Sequence, residues 1–220
     1  MLKYFILWVL IYFFFVFFRA AKKRWYEEPN HIDFFDDKLE PAWAHALLLA
    51  HPYAKERMEG IYYQSQTPGV ADELLRKRWQ NILYTYLDMR PSGNQENVTA
   101  AVTQQLYQRW YRLGLEPLHP NDDMRAALAF SCARVSFCVQ LCFLLGWIDE
   151  TCRKDILMYN GIRARDCFNN WEEYGTALLR GRTQWVAGGR SDSIGMALPE
   201  TEVKTWLDNP KHPWSLTPWS

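Results

Sequence analysis

At 220 residues, 49% of them hydrophobic, the chain carries enough apolar material for one core, and a single domain is the default. Lysine plus arginine number 25 and aspartate plus glutamate 25, so there is no net field to draw a polyanion, which argues against nucleic acid as a partner.

From Tyr4 to Phe18 every residue is apolar or aromatic, a run slightly short of the roughly 17–25 residues a spanning helix uses. Leu2 extends it, and Lys3 and Arg19 can snorkel their charges to the headgroups. A cleaved signal peptide would want small residues and then a polar start. Here Arg19, Lys22, Lys23 and Arg24 follow instead, and positive charge at that place opposes translocation. The expectation is an uncleaved single-pass anchor over residues 1–24, with the lipid bilayer as a partner and the remaining chain in the cytoplasm, at a bacterial inner membrane. A helix lying flat is disfavoured because the apolar character runs all round.

Residues 25–40 are polar and acidic and read as a juxtamembrane linker. His31, Asp33, Asp36, Asp37 and Glu40 invite a divalent-metal reading, but no turn signature converges them, and a solvated segment is the simpler account.

Residues 41–220 form the expected helical domain. Pro41 suits a first helical turn carrying Trp43, Ala46, Leu47 and Ala50, with a break at His51-Pro52. Helical spacing recurs over Val70–Met89, through Leu74, Leu75, Trp79, Ile82, Leu83 and Tyr86, and over Asn97–Leu113, through Val98, Ala101, Leu106 and Trp110. Asn121-Asp122-Asp123 opens a helix to Leu145 whose second half is nearly all apolar. It is too short, and too interrupted by Gln140 and Gly146, for a second span, so it should be the core helix. Gly146 closes it and Asp149 caps Glu150–Arg163. Asn170 with Glu173 three residues on resembles a capping box, starting a helix that ends near Trp185. A short helix led by Pro199 carries Val203, Trp206 and Leu207, and an extended Pro- and Trp-rich tail runs from Asn209 to Ser220. No long alternating pattern competes, so the class is all-α.

Cys132, Cys138, Cys142, Cys152 and Cys167 are odd in number, contain no C-x-x-C pair and fall in apolar helices. They read as free thiols in a reducing compartment. Cys138 and Cys142 are one turn apart but have no third ligand at useful spacing, so no metal site is assigned.

Ser131-Cys132-Ala133-Arg134, Gly146-Trp147-Ile148-Asp149-Glu150, Trp171-Glu172-Glu173-Tyr174 and Gly181-Arg182-Thr183-Gln184-Trp185 occur in that order. Together they resemble the bacterial family numbered 1266 among the domains of unknown function, as do the Pro213-Trp214 and Pro218-Trp219 pairs of the tail. The likeness is best over the last third of the chain. Where the family usually has Trp-Asp before the arginine, this chain has Phe130 and Ser131, so no role of that aspartate carries over. The resemblance implies a fold and family-like packing positions, Gly146, Trp171, Gly181 and Trp185, but no reaction and no cofactor.

Arg134 and Arg182 sit on apolar helices, where a guanidinium needs an acceptor. Two readings are open. Pairing with Asp149, Asp166, Glu172 or Glu173 would lock helices in register, or the two arginines would line a cleft that binds a phosphate or carboxylate. No G-x-S-x-G, H-E-x-x-H or Walker loop is present, and the five histidines lie away from these motifs. The expectation is therefore a membrane-anchored module binding a protein partner, with an enzyme or anionic-ligand domain as the alternative.

Overall fold

The helix from Met124 to Leu144 is the axis of the domain, and its composition explains why. It is apolar on every face, so only a position surrounded by other helices satisfies it. It is the one described helix long and apolar enough to cross a membrane, yet 94% of its apolar window is buried inside the domain. The computed structural model describes residues 41–57, 62, 68–69, 72–87, 89, 95–109, 118–190, 192 and 198–219. All of these fall within one compact unit, Asp33–Ser220. The N-terminal apolar run, its basic flank and the acidic linker lie outside them.

Among the described residues every regular element is a helix: α1 Pro41–Leu48, α2 His51–Arg57, α3 Glu73–Tyr86, α4 Gln95–Arg109, α5 Met124–Leu144, α6 Glu150–Cys167, α7 Trp171–Ala187, α8 Glu202–Asp208 and α9 Pro213–Leu216. The all-α expectation holds. Helix α5 packs most extensively on α7 and then on α6, while α1 lies on α6 and α8 on α7. At the α5–α7 crossing a Cβ on Gly181 would stand 2.1 Å from the Ala126 carbonyl oxygen, so no other residue permits that approach.

The expected caps set the boundaries. Asp123 accepts from the Arg125 and Ala126 N–H groups, Asp149 from Cys152 at 2.8 Å and Asn170 from Glu173 at 2.8 Å. Gly146, at φ +73°, ends α5 in a Schellman motif: its N–H donates to Phe143 O and that of Trp147 to Cys142 O.

Several expectations need correction. The break expected at His51-Pro52 falls just before it, after Leu48, and His51-Pro52 itself occupies the first turn of α2, where proline's missing N–H has no partner to lose. Helix α6 continues past Arg163 to Cys167, since no breaker intervenes and Ala164 is buried. The capping-box return of Glu173 reaches the N–H of Asn169, one residue before the cap. Helix α8 begins at Glu202, after a turn that contains Pro199.

The tail is not extended. It turns through α9 and folds back, so that Trp214 Nε1 donates to Leu48 O at 2.9 Å, Trp171 Nε1 to Thr217 O at 2.8 Å and Trp219 Nε1 to Phe168 O at 2.8 Å.

Candidate functional site

Helical spacing brings the two motif arginines together. Phe130 and Arg134 are four apart on α5, and Arg182 and Trp185 three apart on α7, so each pair shares a face and the two faces meet. The loop after α7 supplies Asp192, α2 supplies Tyr53 and the last residue of α3 is Tyr86.

Arg182 Nε donates to Asp192 Oδ2 at 2.6 Å, with side chains 8% and 2% exposed. The other carboxylate oxygen accepts from the hydroxyls of Tyr53, at 3.1 Å, and Tyr86, at 3.2 Å. Burial pushes the Tyr53 hydroxyl well above its ordinary range. Asp192 and Tyr86 push it the same way and Arg134 opposes them, so Tyr53 remains a proton donor to Asp192.

Arg134 behaves differently. The residue is 5% exposed, and its guanidinium carbon lies 4.3 Å from the ring centre of Tyr86, 4.4 Å from that of Trp185 and 5.5 Å from that of Phe130. Its Nε and Nη1 are buried with no hydrogen-bond partner.

The acids expected beside these arginines are elsewhere. Asp149 caps α6. Glu173 accepts from the Asn169 N–H and pairs with Arg125, contacts that hold its carboxyl below the usual range. Arg125 also donates to Cys167 O through Nε and Nη2, at 3.1 and 2.6 Å. Glu172 borders an open groove of about 360 Å³ with Asp123, Arg125, Thr176 and Arg180. Arg180, which lines that groove, donates twice to Glu200, at 3.1 and 2.9 Å, and lies 3.5 Å from Asp123.

The packing positions divide in the same way. Trp185 underlies Arg134 and Gly181 admits Ala126, whereas Trp171 stacks on Trp214 at 5.0 Å and meets Trp219 edge-on at 4.7 Å. Phe130 packs on Trp185 at 5.6 Å, and Ser131 Oγ accepts from Arg163 at 3.4 Å.

A third buried arginine, Arg153, was not singled out in the sequence. It lies over Phe143 at 3.8 Å and donates to Gln140 at 3.4 Å. Its position between apolar neighbours Cys152 and Ile156 on α6 was the available signal.

All five thiols are free, and four are buried. Burial raises Cys132 and Cys142 and pushes Cys138 up to about 12, so these act as small apolar groups. Among the described residues no three His, Cys, Asp or Glu side chains converge as a metal site. The linker acids and His31 lie outside them.

An all-helical globular domain with its motif arginines gathered beneath α7 is the class these observations define. The model of the DUF1266 family, proteins of unknown function, matches residues 31–219, and the chain belongs to that family. The match reaches well beyond the last third, taking in the helices from α1 onward. No curated protein and no solved structure matches the chain.

Proposed function

We infer that this protein is a non-catalytic helical module, held at a bacterial inner membrane by its N-terminal apolar segment, that binds another protein at the cytoplasmic face. The observation that carries the reading is the way three of its motif charges are used. Arg182 closes on Asp192, Asp149 caps a helix and Glu173 pairs with Arg125, which leaves these groups holding helices rather than facing a substrate.

Two further features support it. The apolar run Tyr4–Phe18 with Arg19, Lys22, Lys23 and Arg24 behind it favours an anchor with the domain inside. On α6, Met158, Tyr159 and Ile162 share one exposed face.

The test places a photo-cross-linker at Met158, in the full chain in native membranes, with the same label at exposed Lys204 of α8 as control. A defined protein adduct at Met158 alone is the expected result. Adducts absent at both positions, with a small organic metabolite co-purifying in detergent, would overturn the reading. A reporter fused at the C-terminus tests orientation, and a periplasmic signal would reverse it.

A further inference from the structure

Helix α6 turns an apolar face outward, with Met158, Tyr159 and Ile162 exposed by 41%, 54% and 42%. The charges around that face stand in rows. Lys154 and Arg165 are 11 residues apart, as are Asp155 and Asp166. Since 11 residues make about three helical turns, the two cations share one edge and the two acids the other, with Met158 and Ile162 between them. What touches each edge agrees. Lys154 lies over the ring of Trp43 and Arg165 Nη1 lies 3.3 Å from His45 Nδ1, both on α1, whereas Asp155 accepts from Tyr107 of α4.

Neighbours in sequence point about 100° apart on a helix, so each cation and the acid that follows it do not meet within α6. Lys154 pairs with Glu150 one turn back. Arg165 and Asp166 enter no ion pair among the described residues, and Asp155 has the Tyr107 phenol but no cation.

A basic row and an acidic row of equal length, set on either side of an apolar centre, complement a copy of themselves. When two such faces meet about a two-fold axis parallel to the helix, each basic row stands opposite the other's acidic row at the same height. Antiparallel helices would instead set basic row against basic row, which is unfavourable. The apolar patch is small for association in dilute solution, where specific interfaces bury about 1,200–2,000 Å². Two copies anchored in one membrane meet at a far higher effective concentration, which a small face can use.

We propose that the outward face of α6 binds a second copy of this chain, α6 against α6 in parallel about a two-fold axis. Met158 and Ile162 form its centre, and Lys154 meets Asp155, and Arg165 meets Asp166, across it. The proposal rests on the reading that this face receives a protein, and it names that protein.

The experiment uses the full chain in native membranes, with the photo-cross-linker at Met158 and, in a second sample, at exposed Thr151 on the same face. The expected product has twice the mass of the chain. Mass spectrometry should place the attachment from Thr151 in the first two turns of α6 of the second copy. Asp166→Arg sets like charges opposite each other twice and should lower the yield about fivefold. The double variant Arg165→Asp with Asp166→Arg exchanges the rows and should restore it. Should that double variant fail to fold, since Arg165 touches His45, the same exchange at Lys154 and Asp155 makes the test. An adduct with a different protein overturns the proposal while the reading of a protein-binding face stands, and absence of any adduct overturns both. Attachment from Thr151 to the last turn of α6, a cross-link within one chain, or a yield that Asp166→Arg leaves unchanged also overturns it.

Discussion

Asp192 has more demands on it than any other side chain in the buried cluster, since one carboxylate answers a guanidinium and two phenols taken from three helices. Replacing it by asparagine keeps the shape and removes the charge that faces the buried guanidinium of Arg182. The expected loss is about 3–5 kcal/mol, the usual penalty for breaking a buried pair. Adding Arg182→Met should recover much of it, because the surviving charge then goes too. Denaturant midpoints of wild type, Asp192→Asn and the double variant measure this, and a single variant within about 0.5 kcal/mol of wild type would remove the pair from the stabilising contacts. The arginines of this cluster were legible as buried because their neighbours along α5 and α7 are apolar. Asp192 was not. It stands in a loop with no periodic pattern, and only the return of that loop over Tyr53 and Tyr86 makes it a partner. The same reason explains Glu172 and Glu173: adjacency in sequence to the motif placed them as partners, whereas the helix start turns them toward Arg125 and the outer groove.

The helices themselves were more legible than their company, since caps and closures are written locally. Asp123, Asp149 and Asn170 needed only their own first turns to be recognised, and Gly146 only the end of an apolar run. What a local pattern cannot show is which glycine is there for conformation and which for contact. Gly146 has φ +73° and a Cβ on it would meet nothing closer than Pro68 at 3.9 Å, so Gly146→Ala should cost about 1 kcal/mol, the conformational term alone. Gly181 has ordinary helical geometry, yet its Cβ would enter the Ala126 carbonyl at 2.1 Å, where backbone must move. Gly181→Ala should therefore destabilise by several times as much, on the order of 3 kcal/mol or more, as overpacking does when nothing flexible yields. Chemical denaturation of the two variants decides between these origins, and equal losses would contradict the assignment of Gly181 to the helix crossing.

At the scale of the molecule, the ends of the described domain are closed on one another by aromatic residues far apart in sequence. The Pro-Trp pairs were visible as a composition, but an indole N–H declares no partner until the chain folds back, which is why the tail read as extended. Its donors reach Leu48 O at the end of α1 and Phe168 O at the end of α6, carbonyls that those helix ends leave without an intrahelical bond. His45 of α1 lies inside this closure, its ring 4.9 Å from Trp171 and 4.6 Å from Trp219. Two indoles would favour a cationic imidazole, but burial and the adjacent Arg165, whose Nη1 is 3.3 Å from Nδ1, outweigh them and hold the pKa down at about 3. The unfolded chain takes up this proton near 6.5 and the folded chain only near 3, so between those values the unfolded state binds more protons. Stability contributed by the neutral, buried imidazole is thus complete above about pH 6.5 and falls as the pH drops toward 3, by up to about 1.4 kcal/mol per unit. His45→Phe removes the proton and keeps a ring between the tryptophans. Its stability should therefore decline less steeply than that of wild type over this window, with the difference greatest below pH 5. Urea midpoints at a series of pH values measure the two slopes, and parallel curves would show that His45 does not couple the tail closure to protons.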